Sequence, residues 1–287
     1  MSDSPYHLLT TADGHRFELL RHAPADPVAT LLWLPALGVA ARHYQGFAEA
    51  LAARGIAVFV HEWRGNGSSS LRAGHAQDWG YRELLQYDLP AAMDAVGAAF
   101  PDLPLQLGGH SLGGQLACCH AGLHPDEVQG LWLVASGTPW WRGFPAPRRY
   151  LLPLAYRFLP WLARRCGALP GRRVGFGGNE ARGLIRDWAR VGLCGRYAAA
   201  GLPIDLEASM GRLDVPVTAL LFDADWLAPP GSMRHLLDKM PMAESTLRVM
   251  SARELGTHAD HFSWMKSPVA VTDALLARAL RKISQKR

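Results

Sequence analysis

The sequence has no apolar run approaching the roughly 18 residues that a membrane-crossing helix needs, so stable insertion into a bilayer is not expected. Its first residues, Met1–Phe17, lack a basic region followed by an apolar stretch and are not read as a secretion signal. Cysteine is scarce, at 4 of 287 residues. Cys118 and Cys119 are adjacent and cannot easily bond each other, and none of the four forms a C-x-x-C pair. A disulfide framework is therefore excluded, and a reducing cytoplasm is the expected compartment. Charged residues make up only 19% of the chain, against 49% hydrophobic. That balance can bury a sizeable core and excludes a disordered chain. The 29 glycines and 20 prolines are scattered as turn residues rather than gathered into a low-complexity tract, and no internal repeat is visible. The length suits one large α/β domain, or a domain carrying a modest insertion.

Charge is present unevenly. The net charge is +5, but Pro139–Asp205 holds 12 arginines against three acids, Glu180, Asp187 and Asp205, a local balance of +9. The remainder of the chain is thus −4. The basic character belongs to one segment, which weakens any reading as a nucleic-acid-binding surface.

Along the chain, apolar runs that suit strands alternate with helical periodicity. His7–Thr10 and Arg16–Arg21 flank an Asp13-Gly14 turn and read as a hairpin. Buried strands are expected at Thr30–Leu34, Ile56–Val60, Leu105–Leu107, Leu131–Ala135, Val217–Phe222 and Thr246–Met250. Helices are expected at 44–54, 84–99, 112–122, 231–240 and 268–282. This alternation predicts an α/β fold, a mostly parallel sheet with helices on both faces. The rhythm breaks over 139–212, where no strand is expected. There a helix over Glu180–Val191 is expected, with Asn179 as its N-cap and Glu180 in its first turn. The division that follows is a core of residues 1–138 and 213–287 with a helical cap over 139–212.

The chemistry centres on Gly109-His110-Ser111-Leu112-Gly113, a G-x-S-x-G pattern. The pattern is weak alone, but here an apolar strand runs into it and a helix of small residues runs out. That order forces a serine into a strained strand-to-helix turn, with glycines on either side giving room and a helix N-terminus beneath it favouring negative charge. Ser111 is the candidate nucleophile; the bland alternative is a Gly-Ser turn in a βαβ unit. A serine needs a base, and the base an orienting acid. Past the strand Val217–Phe222 stand Asp223 and Asp225, and near the end of the chain stand His258 and His261. The run His258-Ala259-Asp260-His261 also invites a metal reading, but Gly256 stands where a further histidine ligand belongs, so no metal is expected. No cofactor motif is present.

These residues resemble the α/β-hydrolase superfamily. Glu62-Trp63-Arg64-Gly65-Asn66-Gly67-Ser68-Ser69 is similar to its D-x-R-G-x-G-x-S loop, with glutamate in place of aspartate and Arg64 in a structural role. The runs Pro35–Val58, Gly175–Tyr197 and Asp260–Trp264 resemble a bacterial branch of predicted hydrolases grouped with serine aminopeptidase-type (S33) and monoacylglycerol-lipase-like enzymes. The resemblance implies an eight-stranded sheet with a cap and a chain order of Ser, Asp, His. It favours Asp225, four residues before Pro229, over Asp223. It favours His261, which opens an H-F-x-W-x-x-x-P pattern, over His258. The oxyanion hole would take the backbone N–H of Leu112 and that of Leu37 in Pro35-Ala36-Leu37-Gly38, where such enzymes often carry His-Gly.

The leading expectation is therefore a serine hydrolase that cleaves a small-molecule carboxylic ester or thioester through Ser111, His261 and Asp225. The cap arginines would suit neutral or anionic acyl chains, or form a solvated face. A peptidase or amidase would need an acidic anchor for an amine, for which the cap offers few candidates. A non-catalytic binding protein of this fold would usually lack one of the three residues. Trp140, Trp141 and Trp161 are expected to pack the cap onto the core more than to line a pocket. Nothing in the sequence fixes the oligomeric state.

Overall fold

The computed structural model describes the backbone of residues 6–284 and the side chains of residues 6–277. Eight strands form one sheet in the order β1-β2-β4-β3-β5-β6-β9-β10. The hairpin β1 (Tyr6–Thr10) and β2 (Arg16–His22) is antiparallel, and β2 also runs antiparallel to β4 (Ile56–Val60). From β4 onward all pairs are parallel: β3 (Ala29–Leu34), β5 (Leu105–His110), β6 (Gly130–Val134), β9 (Val217–Phe222) and β10 (Ser245–Met250). Every residue of β3, β4, β6 and β9 is buried. Their continuous apolar runs are what a strand covered on both faces requires. The edge strands β1 and β10 are mostly exposed and more polar.

The covering helices are α1 (Gln45–Ala52), α4 (Leu112–Leu123), α9 (Pro230–Leu237), the short α10 (Ala252–Leu255) and α11 (Val269–Ser284). Between β4 and β5, α2 (Tyr81–Glu83) passes through a π turn at Leu84–Asp88 into α3 (Leu89–Ala99). The chain leaves β3 for β4 on one side and then crosses back to place β5 on the other. The strand order thus reverses between β3 and β5, and in open α/β sheets the crevice at the carboxyl ends of such a pair is where ligands bind. The loop after β3 carries Leu37, and the turn after β5 carries Ser111.

Strand β5 runs three residues further than expected from its apolar run. Backbone pairing with β3 and β6 carries it on through Gly108 and Gly109, where neighbours approach too closely for a side chain. A Cβ on Gly108 would lie 2.7 Å from the Trp132 carbonyl oxygen, and one on Gly109 would lie 2.3 Å from the Gly113 carbonyl carbon.

Residues 139–212 contain α5 (Arg148–Cys166), α6 (Gly171–Val174), α7 (Arg182–Cys194) and α8 (Leu206–Met210). They also hold a small antiparallel pair, β7 (Ala168–Pro170) with β8 (Asn179–Ala181), where no strand was expected. Asn179 and Glu180 therefore lie in β8, not at a helix start. Helix α7 begins at Arg182 without a side-chain cap. The pairing with β7 takes up the backbone of Asn179–Ala181, and that long-range contact overrides the local capping preference. Leu159, Ala163, Leu169 and Ile185 make a second small core that Leu37 also touches. Trp140 stacks on His235 with ring centroids 4.3 Å apart, whereas Trp161 points outward and is half exposed.

Candidate functional site

Ser111 joins β5 to α4 with φ 55° and ψ −119°, a conformation that L residues rarely adopt. Its N–H donates to the Val134 carbonyl oxygen at 3.0 Å, which ties the turn to β6. The turn is possible only because helix and sheet touch at glycines. A Cβ on Gly113 would lie 2.0 Å from the Leu34 carbonyl oxygen, and one on Gly114 would lie 2.2 Å from Ser136 Oγ. The first turn of α4 has no side-chain cap, so its N–H groups stay available at the serine.

Asp225 follows β9, and its side chain is fully buried. One carboxylate oxygen accepts from the N–H groups of Leu227 at 2.8 Å and Ala228 at 3.2 Å. The other lies 2.7 Å from His261 Nδ1. A carboxylate can only accept, so Nδ1 donates to it, and in the neutral ring Nε2 is then the acceptor. The His261 ring lies 4.8 Å from that of His110, the residue before Ser111. Asp223 and His258 are both exposed.

The loop after β3 is held by a link no local pattern reveals. The Ala36 N–H donates to the Tyr44 hydroxyl at 2.9 Å, and that hydroxyl pairs with His110 Nδ1 at 2.8 Å. Burial drives the His110 pKa well below its ordinary value, so the ring is neutral. One chain of bonds thus connects the β3 loop to the β5 turn. Val39 N–H closes a turn onto the Ala36 carbonyl oxygen at 3.1 Å, with Gly38 at φ 74°. Among the described residues, the N–H groups of Leu37 and Leu112 make no hydrogen bond. Leu37 and Leu112 line one cavity of about 10 Å³, together with Gly38, Trp63, Asn66 and Glu180. That is room for about one water.

Glu180 is the residue whose place the sequence concealed. It is buried, and its Oε1 accepts from Gly178 N–H at 2.6 Å. Burial raises its pKa from the ordinary 4.5 to about 7, against the lowering effect of that bond. The glycine run beside it packs against the β3 loop. A Cβ on Gly38 would lie 2.2 Å from Gly178 N and 2.9 Å from Glu180 Oε1. The one sequence signal was an acid separated only by Asn179 from Gly175-Phe176-Gly177-Gly178, a stretch poor in side chains.

Arg64 is buried and pinned between two carboxylates. Its Nε and Nη2 hold Asp88 at 2.8 Å each, its Nη1 meets Asp13 at 2.7 Å, and His15 closes the set on Asp88 at 3.0 Å. Burial by itself would raise the Asp13 pKa, but the bonds from Arg64 and Thr11 outweigh it and hold the group at about 2. Glu62 occupies the aspartate position of the expected loop, accepts from Ala41 N–H at 3.2 Å and is raised to about 7 by burial. Among the described residues no group of three His, Cys, Asp or Glu side chains could hold a metal ion.

A family model described as serine aminopeptidase, S33, matches residues 25–253. The chain is 29% identical to a rhodomycin D methylesterase of Streptomyces sp. (strain C5), covering 88% of this chain and 90% of that protein. It is 24% identical to a monoglyceride lipase of Rattus norvegicus, covering 84% and 80% respectively. Among solved structures, a monoacylglycerol lipase of Paleococcus ferrophilus superposes with a TM-score of 0.61 at 19% identity, over 91% of this chain and 99% of that one. A thermophilic esterase of Thermogutta terrifontis gives 0.62 at 21% identity, over 97% and 98%.

Proposed function

Given that the chain belongs to the serine aminopeptidase S33 family of α/β-hydrolases, we propose that it is a serine hydrolase of carboxylic esters or thioesters. The reading assigns Ser111 as nucleophile, His261 as general base and acid, Asp225 as the group that orients His261, and the N–H groups of Leu37 and Leu112 as the oxyanion hole. Residues 139–212 act as the cap. The observation that carries it is a convergence at the β3/β5 crevice. A serine held at φ 55° follows His110, whose ring lies 4.8 Å from that of His261; His261 Nδ1 is 2.7 Å from a buried carboxylate; and Leu37 and Leu112, whose N–H groups make no hydrogen bond among the described residues, line one cavity.

In this mechanism Ser111 Oγ attacks the carbonyl carbon while His261 Nε2 takes its proton. Negative charge builds on the carbonyl oxygen, where the Leu37 and Leu112 N–H groups meet it; each such donor is worth about 10²–10³ in rate. The tetrahedral intermediate collapses, and His261 returns the proton to the departing alkoxide or thiolate. Water then attacks the acyl-enzyme with His261 again as base, releasing the acid and restoring Ser111. A cavity that holds about one water cannot hold an ester.

One observation favours an amidase with the same machinery. Glu180 brings a carboxyl group to the wall shared by Leu37 and Leu112, where a substrate ammonium would find a partner. Both readings share one test. A fluorophosphonate probe should label Ser111, and Ser111→Ala should abolish labelling and p-nitrophenyl ester turnover in a folded protein, a loss on the order of 10⁶ in kcat. Undiminished turnover refutes the assignment. Faster cleavage of an aminoacyl p-nitroanilide than of the matched ester would select the amidase.

A further inference from the structure

Helix α5 buries one face and leaves the other without cover among the described residues. Tyr156, Leu159 and Ala163 point inward, towards α7 and the small core. Tyr150, Leu151, Leu154, Phe158 and Trp161 point outward and are 50% to 66% exposed. At 100° per residue these five fall within an arc of about 100°, an apolar stripe along most of a 19-residue helix. Solvent-exposed side chains this large and this contiguous mark a contact surface rather than scattered surface residues.

The borders of the stripe are cationic. Arg157 and Arg164 lie along one edge, Arg148 lies beyond the other, and Arg165 closes the C-terminal end; all four are exposed. Not one acidic residue occurs within α5. An apolar face bordered by arginines, with tyrosine near one end and tryptophan near the other, is the pattern of a helix that lies in the plane of a membrane interface. We propose that the outward face of α5 docks the protein on an anionic lipid bilayer, with the five apolar side chains entering the interface and the arginines meeting lipid phosphates.

Two other occupants fit less well. A second copy related by two-fold symmetry would set arginine borders against identical borders. An acidic peptide would need a groove, and this face is the convex side of a helix. The docking is peripheral, since no described helix is long and apolar enough to span a bilayer. It would also bring the site close to the lipid, because Arg148 lies 5.2 Å over the ring of Trp226, the residue after Asp225.

The test is co-sedimentation of the full chain with vesicles of phosphatidylcholine containing about three-tenths phosphatidylglycerol, and with vesicles of phosphatidylcholine alone. The protein should partition onto the anionic vesicles and hardly at all onto the neutral ones, less so as salt rises. Leu154→Gln, Phe158→Gln and Trp161→Gln combined should lower partitioning at least about tenfold. Arg157→Gln, Arg164→Gln and Arg165→Gln combined should lower it about fivefold per arginine and flatten the salt dependence. Thermal melts should show both variants folded, and both should hydrolyse a soluble p-nitrophenyl ester at the unmodified rate if the proposed function holds. Because the partitioning readout needs no turnover, failure of the enzyme reading leaves this test intact. Absence of vesicle binding, equal binding to both vesicle types, or a concentration-dependent dimer that the stripe variant dissociates would each overturn the proposal.

Discussion

Replacing Glu180 by glutamine should stabilise the protein, with an effect that grows as pH rises. The carboxyl group is buried, and among the described residues its one hydrogen-bond partner is the Gly178 N–H, which a glutamine oxygen can retain. Burial lifts its pKa from 4.5 to about 7. The folded state therefore binds the proton more tightly than the unfolded state does, and stability falls as pH rises between those two values. Below about pH 4.5 both states are protonated and the charge costs nothing. Above pH 7 both are ionised, and the full penalty for burying the charge is present, on the order of 3 kcal/mol. Glu62 is raised in the same way, so the pH profile of the unmodified protein combines both groups. Its contribution cancels in the difference between the two proteins. Urea melts at pH 4.5, 6 and 8 should show the two nearly equal at the lowest pH and the variant ahead at the highest. A constant difference across that range, or a variant that loses stability as pH rises, would refute the argument from burial.

Other expectations follow from separate contacts. Under the proposed function, Asp225→Asn should reduce kcat far more than Asp223→Asn, and His261→Ala far more than His258→Ala; matched losses within either pair would break the assignment. Tyr44→Phe removes the hydroxyl that links Ala36 to His110 and should cost about 1–3 kcal/mol by urea melt. It should also lower kcat more than it changes KM, because the loop carrying the Leu37 N–H loses its anchor. Gly113→Ala would press a methyl group onto the Leu34 carbonyl oxygen. It should cost about 3 kcal/mol or more, or prevent soluble expression. By contrast, nothing lies within 4 Å of a Cβ on Gly97 in α3, so Gly97→Ala should add about 0.5–1 kcal/mol by thermal melt.

The apolar runs of β3, β4, β6 and β9 and the helical periods between them were legible, because strand and helix preferences arise from contacts a few residues apart. So was the strand–serine–helix order around Ser111, where the glycines announce a close approach. Local chemistry alone left Asp223 and Asp225 equivalent, as it did His258 and His261. Which acid meets which histidine depends on how β9 and the C-terminal loops come together across the sheet, and in the structure Asp225 and His261 are the pair that touch. The Tyr44 link joins residues eight and 66 positions away, a distance over which no periodicity speaks. Local preference places Glu180 at a helix start. It became a buried strand residue because β7 supplied a backbone partner and Gly38 left room beside its carboxyl group. Sequence by itself settled where most elements of the core lie and where the strained serine sits, since those follow from short-range sterics and patterning. Tertiary structure alone decided which ionisable groups are buried and paired, since desolvation and hydrogen bonding depend on neighbours that the chain brings together only on folding.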